Sequence, residues 1–352
     1  MLKLLRSVLP GSKADAAAIA SPRTDPAPND IVIDGLRPFR LADHLTMHEG
    51  LPITDWTAVR AWLSTTHVKN SQSTAWTACE RAWLLHMRQA LGTRYELLES
   101  NGAVLLSSLE ANIAKATLDY IDRTRRRILR VLDGIAQVAP WGKDLLIVFD
   151  DEESYYRYVS YYYPEDGEFA FSGGMHINQG CSHFVTRKAD LSVIEPVIAH
   201  EMTHGCVAHL PLPLWLNEGI AVNTERRVAA VGASLYTTQE MREKHLSFWR
   251  EAEIQQFWSG KSFDRTDDGN LLSYDLARII VEQLAKDWES FRLFALEADR
   301  ADAGASAATA AFGMDLGALV CTLLQQEGSP AWTPKPHAWR TDHLRPAGPR
   351  RA

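Results

Sequence analysis

The chain of 352 residues is poor in cysteine, and its four thiols, Cys79, Cys181, Cys206 and Cys321, stand far apart with no Cys-x-x-Cys pair. That spacing excludes a disulfide framework and a structural zinc cluster, and it leaves buried free thiols in a reducing compartment as the expectation. Long apolar runs are also missing. No stretch approaches the ~20 apolar residues that a membrane-spanning helix needs. Positive charge is in deficit, with 37 Lys and Arg against 44 Asp and Glu and a net charge of −7. Such a balance favours solubility and argues against nonspecific affinity for nucleic acid. No internal repeat is visible, and the hydrophobic content of 46% and charged content of 23% are those of an ordinary globular protein with an ample core.

The start of the chain is ambiguous about compartment. Met1 to Leu9 is basic and apolar, and Ala18-Ile19-Ala20 resembles a cleavage site. Arg6, Pro10, Lys13 and Asp15 nevertheless interrupt the hydrophobic stretch of a signal peptide. A cytoplasmic protein is expected, with export through an atypical N-terminal signal as the alternative.

Four regions follow from composition and periodicity. Residues 1–31, rich in Ala, Pro, Ser and Asp, read as a flexible leader. Residues 32–108 form an N-terminal region, with Trp- and Leu-rich helical patterns from Asp55 to Leu91 and a β-hairpin turning at Asn101-Gly102. Residues 109–327 form the main domain. It opens with an amphipathic helix, Leu109 to Ile135, whose basic run Arg123, Arg125, Arg126 and Arg127 reads as a solvated face. An apolar strand follows at 144–150, then a helix at 151–163 and strands near 168–185. The tyrosines between Tyr155 and Tyr163 are expected to pack this helix on the sheet. Residues 328–352, proline-rich with a basic end, read as a disordered tail. The fold class is α+β: a small mixed sheet, then a mainly helical C-terminal half.

Residues 200–204 carry the chemistry. They read His-Glu-Met-Thr-His within a helical stretch from Leu191 to Val207. Positions i and i+4 of a helix share a face, so His200 and His204 can both direct an imidazole at one ion. Glu201 projects from the next position round, within reach of a water beside that ion. Two neutral nitrogen ligands and an adjacent carboxylate are the arrangement of a zinc hydrolase. Catalytic zinc takes three protein ligands and keeps one position open. Fourteen residues past His204 comes Glu218, in Trp215-Leu216-Asn217-Glu218-Gly219-Ile220-Ala221. Pro211 and Pro213 break the first helix, and a second, from Leu214 to Arg227, can return its first turn to the site. Gly219 would let it approach the first closely. His209 competes as third ligand, but the extended metzincin pattern fails, because Val207 and Leu210 stand where it needs glycine and histidine. Ligating imidazoles normally donate their other N–H to a carboxylate or carbonyl, and Asn217 and Glu225, both on the second helix, are candidates that the sequence alone does not assign.

His200-Glu201-x-x-His204 followed by Trp-Leu-Asn-Glu-Gly-Ile-Ala resembles the gluzincin metallopeptidases, and is closest to the compact bacterial peptidase MA-like group. The resemblance spans roughly Leu145 to Leu284. It implies a thermolysin-like core, a Zn²⁺ cofactor held by His200, His204 and Glu218, Glu201 as general base, and a peptide or protein as substrate. It also implies a later-helix donor for the oxyanion. Tyr274, in the Ser273-Tyr274-Asp275 segment opening a helix to Leu284, matches that place, with His245 in a polar helix from Gln239 to Phe257 as the alternative. An edge strand before the zinc helix is implied too, with Gly174, Met175 and His176 at its substrate-facing place. The related aminopeptidases carry an acidic anchor near the position of His176, so their specificity is not implied. The reading from another class is a catalytically degenerate protein of the same fold, acting as a binding or regulatory module. The intact Glu201 argues against it.

Overall fold

The computed structural model describes residues 26–65, 69–139, 141–162, 174–188, 191–230 and 236–339. Two short antiparallel pairs come first: β1 (Asp30–Ile31) with β2 (Phe39–Arg40), and β3 (Leu45–His48) with β4 (Leu51–Thr54). Helices α1 (Trp56–Leu63) and α2 (Lys69–Leu91) follow. The Asp55 carboxylate starts α1 by accepting from the backbone N–H of Thr57 and Ala58, which satisfies two donors that the first turn leaves open.

A five-stranded sheet organises the rest. Its strands are β5 (Glu96–Glu99), β6 (Ala103–Ser107), β7 (Asp144–Phe149), β8 (Gly174–Ile177) and β9 (His183–Arg187), in the spatial order β5-β6-β7-β9-β8. The inner pairs β6–β7 and β7–β9 are parallel, and both outer pairs are antiparallel. Parallel neighbours need crossovers. Helix α3 (Ala111–Val131) supplies the one from β6 to β7, and α4 (Glu152–Val159) lies on the path from β7 to β8. Alternate residues point to opposite faces. Leu105, Leu146, Val148 and Phe184 enter a core with α3 and the helices that follow the sheet. Leu106, Ile147, Phe149 and Val185 enter a second core with α2 and α4. A sheet covered on both sides reads as continuous apolar strands, which is why 144–150 was recognisable.

Among the described residues nine α-helices follow: α5 (Leu191–Val207), α6 (Leu214–Val228), α7 (Thr238–Phe248), α8 (Glu251–Ser259), α9 (Asp268–Leu284), α10 (Trp288–Glu297), α11 (Ala305–Phe312), α12 (Leu316–Leu323) and the short α13 (Pro336–Trp339). The protein is a mixed α+β molecule. Among the described residues no single helix is long and apolar enough to cross a membrane.

Several sequence-based boundaries change. A division at 108/109 would cut the sheet, because β6 pairs with β7 through Val104–Leu145 and Leu106–Ile147. The N-terminal region and the region that carries His200, His204 and Glu218 therefore meet in one sheet. The expected flexible leader lies outside the described residues up to 25, but Ile31 is buried in a strand pair. The tail beyond 328 is structured as far as Trp339. Trp332 and Trp339 are both buried, the Trp258 indole donates to Trp332 O at 2.7 Å, and Gln255 donates to Ala331 O and Thr333 O. Proline content suggested disorder there, but two tryptophans supply the apolar area that holds the segment down. Residues 340–352 lie outside the described residues. The helix expected over 239–257 is two helices, because Trp249, fully buried, takes extended backbone between α7 and α8.

The basic run of α3 is only partly a solvated face. Arg125 bonds Asp144 Oδ2 and Gly102 O, both at 2.9 Å. Arg127 donates to Val228 O and Arg227 O, so it caps the carboxyl end of α6. In α4 the expected packing is present: Tyr155, Tyr158 and Tyr162 are buried against the sheet while Tyr161 is exposed. Tyr163 lies outside the described residues. All four cysteines are buried free thiols.

Candidate metal centre

Helices α5 and α6 form an antiparallel-style hairpin closed by Pro211 and Pro213, and each delivers part of one cluster. His200 and His204 stand one turn apart on α5, their rings 4.9 Å apart and nearly perpendicular. Glu218 comes from the first half of α6. Its Oε2 lies 3.3 Å from His200 Nε2 and 3.4 Å from His204 Nε2. The three side chains are the one group of potential metal ligands of its kind among the described residues. His209 is not part of it.

The remaining ring nitrogens are also engaged, by the two residues the sequence suggested. His200 Nδ1 lies 3.1 Å from Glu225 Oε2, and His204 Nδ1 lies 3.1 Å from Asn217 Oδ1. The Glu225 carboxylate can only accept, so in the neutral imidazole of His200 the proton sits on Nδ1 and Nε2 is left with its lone pair. Two lone-pair atoms, Nε2 and Glu218 Oε2, then face each other in a buried site. His200 Nε2 and Glu218 Oε2 have no hydrogen-bond partner of good geometry. A cation between them removes that conflict. Four-coordinate zinc, with bonds of about 2.0–2.2 Å to nitrogen and oxygen, spaces adjacent donors about 3.3–3.5 Å apart. The observed separations fit, and so does the His₂Glu donor set.

Electrostatics within the cluster are coupled. Burial opposes the charge of Glu218, but the neighbouring His204 and His200 outweigh it and hold the carboxyl low. Burial likewise disfavours a charged His200, and its bonds to Glu218 and Glu225 prevail and raise it. A proton shared between His200 and the Glu218 carboxylate occupies the place that a metal ion takes over when it displaces that proton and leaves the neutral imidazole. Glu201 behaves differently. Burial pushes its carboxyl up to about 7, against the pull of His204 and His200. Its Oε1 is buried and without a partner.

The other expected site residues are placed as follows. Strand β8 is the edge of the sheet, as anticipated, and α5 packs beside it. Its side chains turn inward, however. Met175 is fully buried, His176 stacks on Phe184 at 4.9 Å and bonds Ser182 Oγ at 2.7 Å, and burial pushes the His176 imidazole down to about 3. Gly174 is required by close approach, since a Cβ there would lie 2.9 Å from Val185 O. His183 is saturated by Tyr158 OH and Cys181 O, both at 2.7 Å. Tyr274 sits inside α9 rather than at its start, its ring edge-on to Phe263 at 5.2 Å. His245 is fully used by Asp275 and Trp249.

Gly219 does serve a close approach, but to a different helix. A Cβ there would meet Ala277 O at 2.6 Å and Val281 Cγ2 at 2.7 Å. Both belong to α9. Glu80 was missed altogether: it is buried in α2, where its carboxylate accepts from the Trp76 indole at 2.6 Å and Lys143 N at 3.2 Å. A lone glutamate in a Trp-rich helix carries no sequence signal of that burial. Compared with known proteins, the chain matches no family model and no curated sequence.

Proposed function

We propose that this protein is a zinc-dependent peptidase of the gluzincin type, built on a thermolysin-like core. The observation that carries the reading is the convergence of His200 Nε2, His204 Nε2 and Glu218 Oε2 at 3.3–3.4 Å, with both Nδ1 atoms already engaged. The succession of edge strand β8, helix α5 with His200 and His204, and returning helix α6 with Glu218 supports that reading. Zinc bound there would supply a Lewis acid and lower the pKa of a ligated water to about 7.

The chain's own residues supply the rest. Glu225 and Asn217 fix the tautomer and orientation of the two imidazoles. Glu201 Oε1 takes the proton of the attacking water and returns it to the leaving nitrogen, a role suited to a carboxyl raised toward neutrality. Strand β8, last in the sheet among the described residues, is the proposed place for an extended peptide to pair by main-chain hydrogen bonds, with Gly174, Met175 and His176 shaping it. Tyr274 is the proposed hydroxyl donor to the oxyanion. The substrate is a peptide or protein in the cytoplasm.

The deciding experiment measures zinc content and peptide hydrolysis for the native protein and Glu201→Gln. The variant is expected to keep zinc and lose hydrolysis. A native protein that holds no zinc after supplementation overturns the site, and equal hydrolysis by the variant overturns the role of Glu201. Zinc retention with no hydrolysis by the native protein would favour the degenerate binding module.

A further inference from the structure

One residue beyond Glu225, helix α6 opens onto a second concavity. It lies between the C-terminal end of α6, α7, α9 and the end of α12. Three guanidinium groups line it, those of Arg226, Arg242 and Arg278, against a single carboxylate, Asp275. The back wall is internally balanced. Arg278 donates to Asp275 Oδ1 at 2.9 and 2.8 Å and to Glu282 at 2.8 Å. Asp275 Oδ2 accepts from His245 Nε2 at 2.9 Å, and His245 Nδ1 accepts from the Trp249 indole at 2.8 Å. Since Nδ1 accepts from the indole, the ring proton that faces Asp275 is on Nε2.

The mouth is not balanced. Arg242 bonds the neutral amide of Gln325, and neither Arg242 nor Arg226 has a carboxylate partner among the described residues. Two uncompensated guanidinium groups in one concavity reverse the sign of a chain whose net charge is −7. The pocket also has apolar walls, from Met241, Leu246, Ile279 and Leu323. Planar guanidinium forks match the oxygens of a carboxylate or phosphate. The apolar walls add affinity for a carbon body attached to that anion.

We propose that this pocket binds an oxyanion, a carboxylate or a phosphate ester, carried on an apolar body, with Arg226 and Arg242 as the donors. The site uses none of the metal ligands, so its occupancy is tested by binding alone. The probes are N-acetyl-leucine, its uncharged amide and phenyl phosphate, titrated calorimetrically into the full-length protein and into Arg226→Ala and Arg242→Ala. Both arginines are exposed, and unchanged melting temperatures would verify that the variants fold.

Saturable binding of at least one anion is expected, weakened about ten-fold or more by either substitution, as for loss of a charge-assisted hydrogen bond. The amide should bind about ten-fold or more weaker than its parent acid. Tighter binding of N-acetyl-leucine identifies a carboxylate as the natural group, and tighter binding of phenyl phosphate identifies a phosphate ester. No saturable binding of either anion would overturn the proposal. Binding that survives both substitutions would overturn it too, because the anion would then sit elsewhere, the metal centre included. Neither result would bear on whether Glu201→Gln loses hydrolysis.

Discussion

Glu225 Oε2 accepts from His200 Nδ1 at 3.1 Å, from two turns further along the same helix that carries Glu218. One helix thus addresses both nitrogens of one imidazole: Glu218 faces Nε2 and Glu225 faces Nδ1. The distance between these two carboxylates is set by helical pitch, so His200 cannot rotate toward one without leaving the other.

On the proposed zinc reading, replacing Glu225 with glutamine should therefore weaken zinc binding while leaving the three proposed ligands in place. Outer partners of ligating histidines are typically worth about 10–100-fold in metal affinity. Competition against a chelator of known affinity measures the change, and an unchanged affinity would show that Glu225 does not orient His200.

Gly219→Ala tests the contact between α6 and α9. The added methyl group would lie 2.6 Å from Ala277 O, a backbone atom that cannot swing aside. A loss of roughly 1–3 kcal/mol in denaturant unfolding is expected from overpacking. Because Glu218 precedes Gly219, zinc affinity should fall as well. Stability that falls while affinity stays the same would mean that α6 shifts as a rigid unit with its ligand.

Glu80 predicts a pH dependence of stability. Burial raises its carboxyl from 4.5 to about 8, while the bonds from Trp76, Cys181 and Lys143 oppose the rise. The folded state then binds a proton that the unfolded state releases above about 4.5. Stability falls wherever the native state holds more protons, so this group's contribution is full below about 4.5 and is lost as pH climbs to about 8. Urea titrations across that window should show the decline, and Glu80→Gln, which cannot ionise, should flatten it. A slope equal in both proteins would assign the dependence to other groups.

Trp332→Ala tests the segment beyond α12. The indole is buried against α8, whose Trp258 donates to the Trp332 carbonyl. Truncating a buried tryptophan costs about 3–5 kcal/mol, readable as a lower denaturation midpoint. A change below about 0.5 kcal/mol, the range of ordinary surface substitutions, would return this segment to the disordered tail that its composition suggested.

Much of the metal centre could be read from the sequence because its geometry is local. His200, Glu201 and His204 are related by one helical turn, and Pro211 and Pro213 fix where the chain folds back with Glu218. Asn217 and Glu225 were legible for the same reason, being on the helix of the third ligand. The misread features depend on partners distant in sequence. Nothing near His176 announces that Phe184 and Ser182 will hold it inward. The basic run at Arg125 and Arg127 looks like any solvated face until Asp144 and the end of α6 arrive beside it. Gly219 signalled a close approach, but only packing decided that α9 would be the neighbour. The boundary at 108/109 failed because an apolar strand announces burial on both faces but not which strand it pairs with.

The hairpin of α5 and α6 has a consequence for the order of events during folding. Its ligands at 200, 204 and 218 are close along the chain, whereas the sheet joins β6 to β7 and β7 to β9 across long crossovers. Local contacts close fast and distant strand pairings close slowly. A metal ion at the proposed site would therefore meet the helical hairpin before the sheet beside it is complete, and would act as an early clamp on the chain as well as a reagent in the finished site.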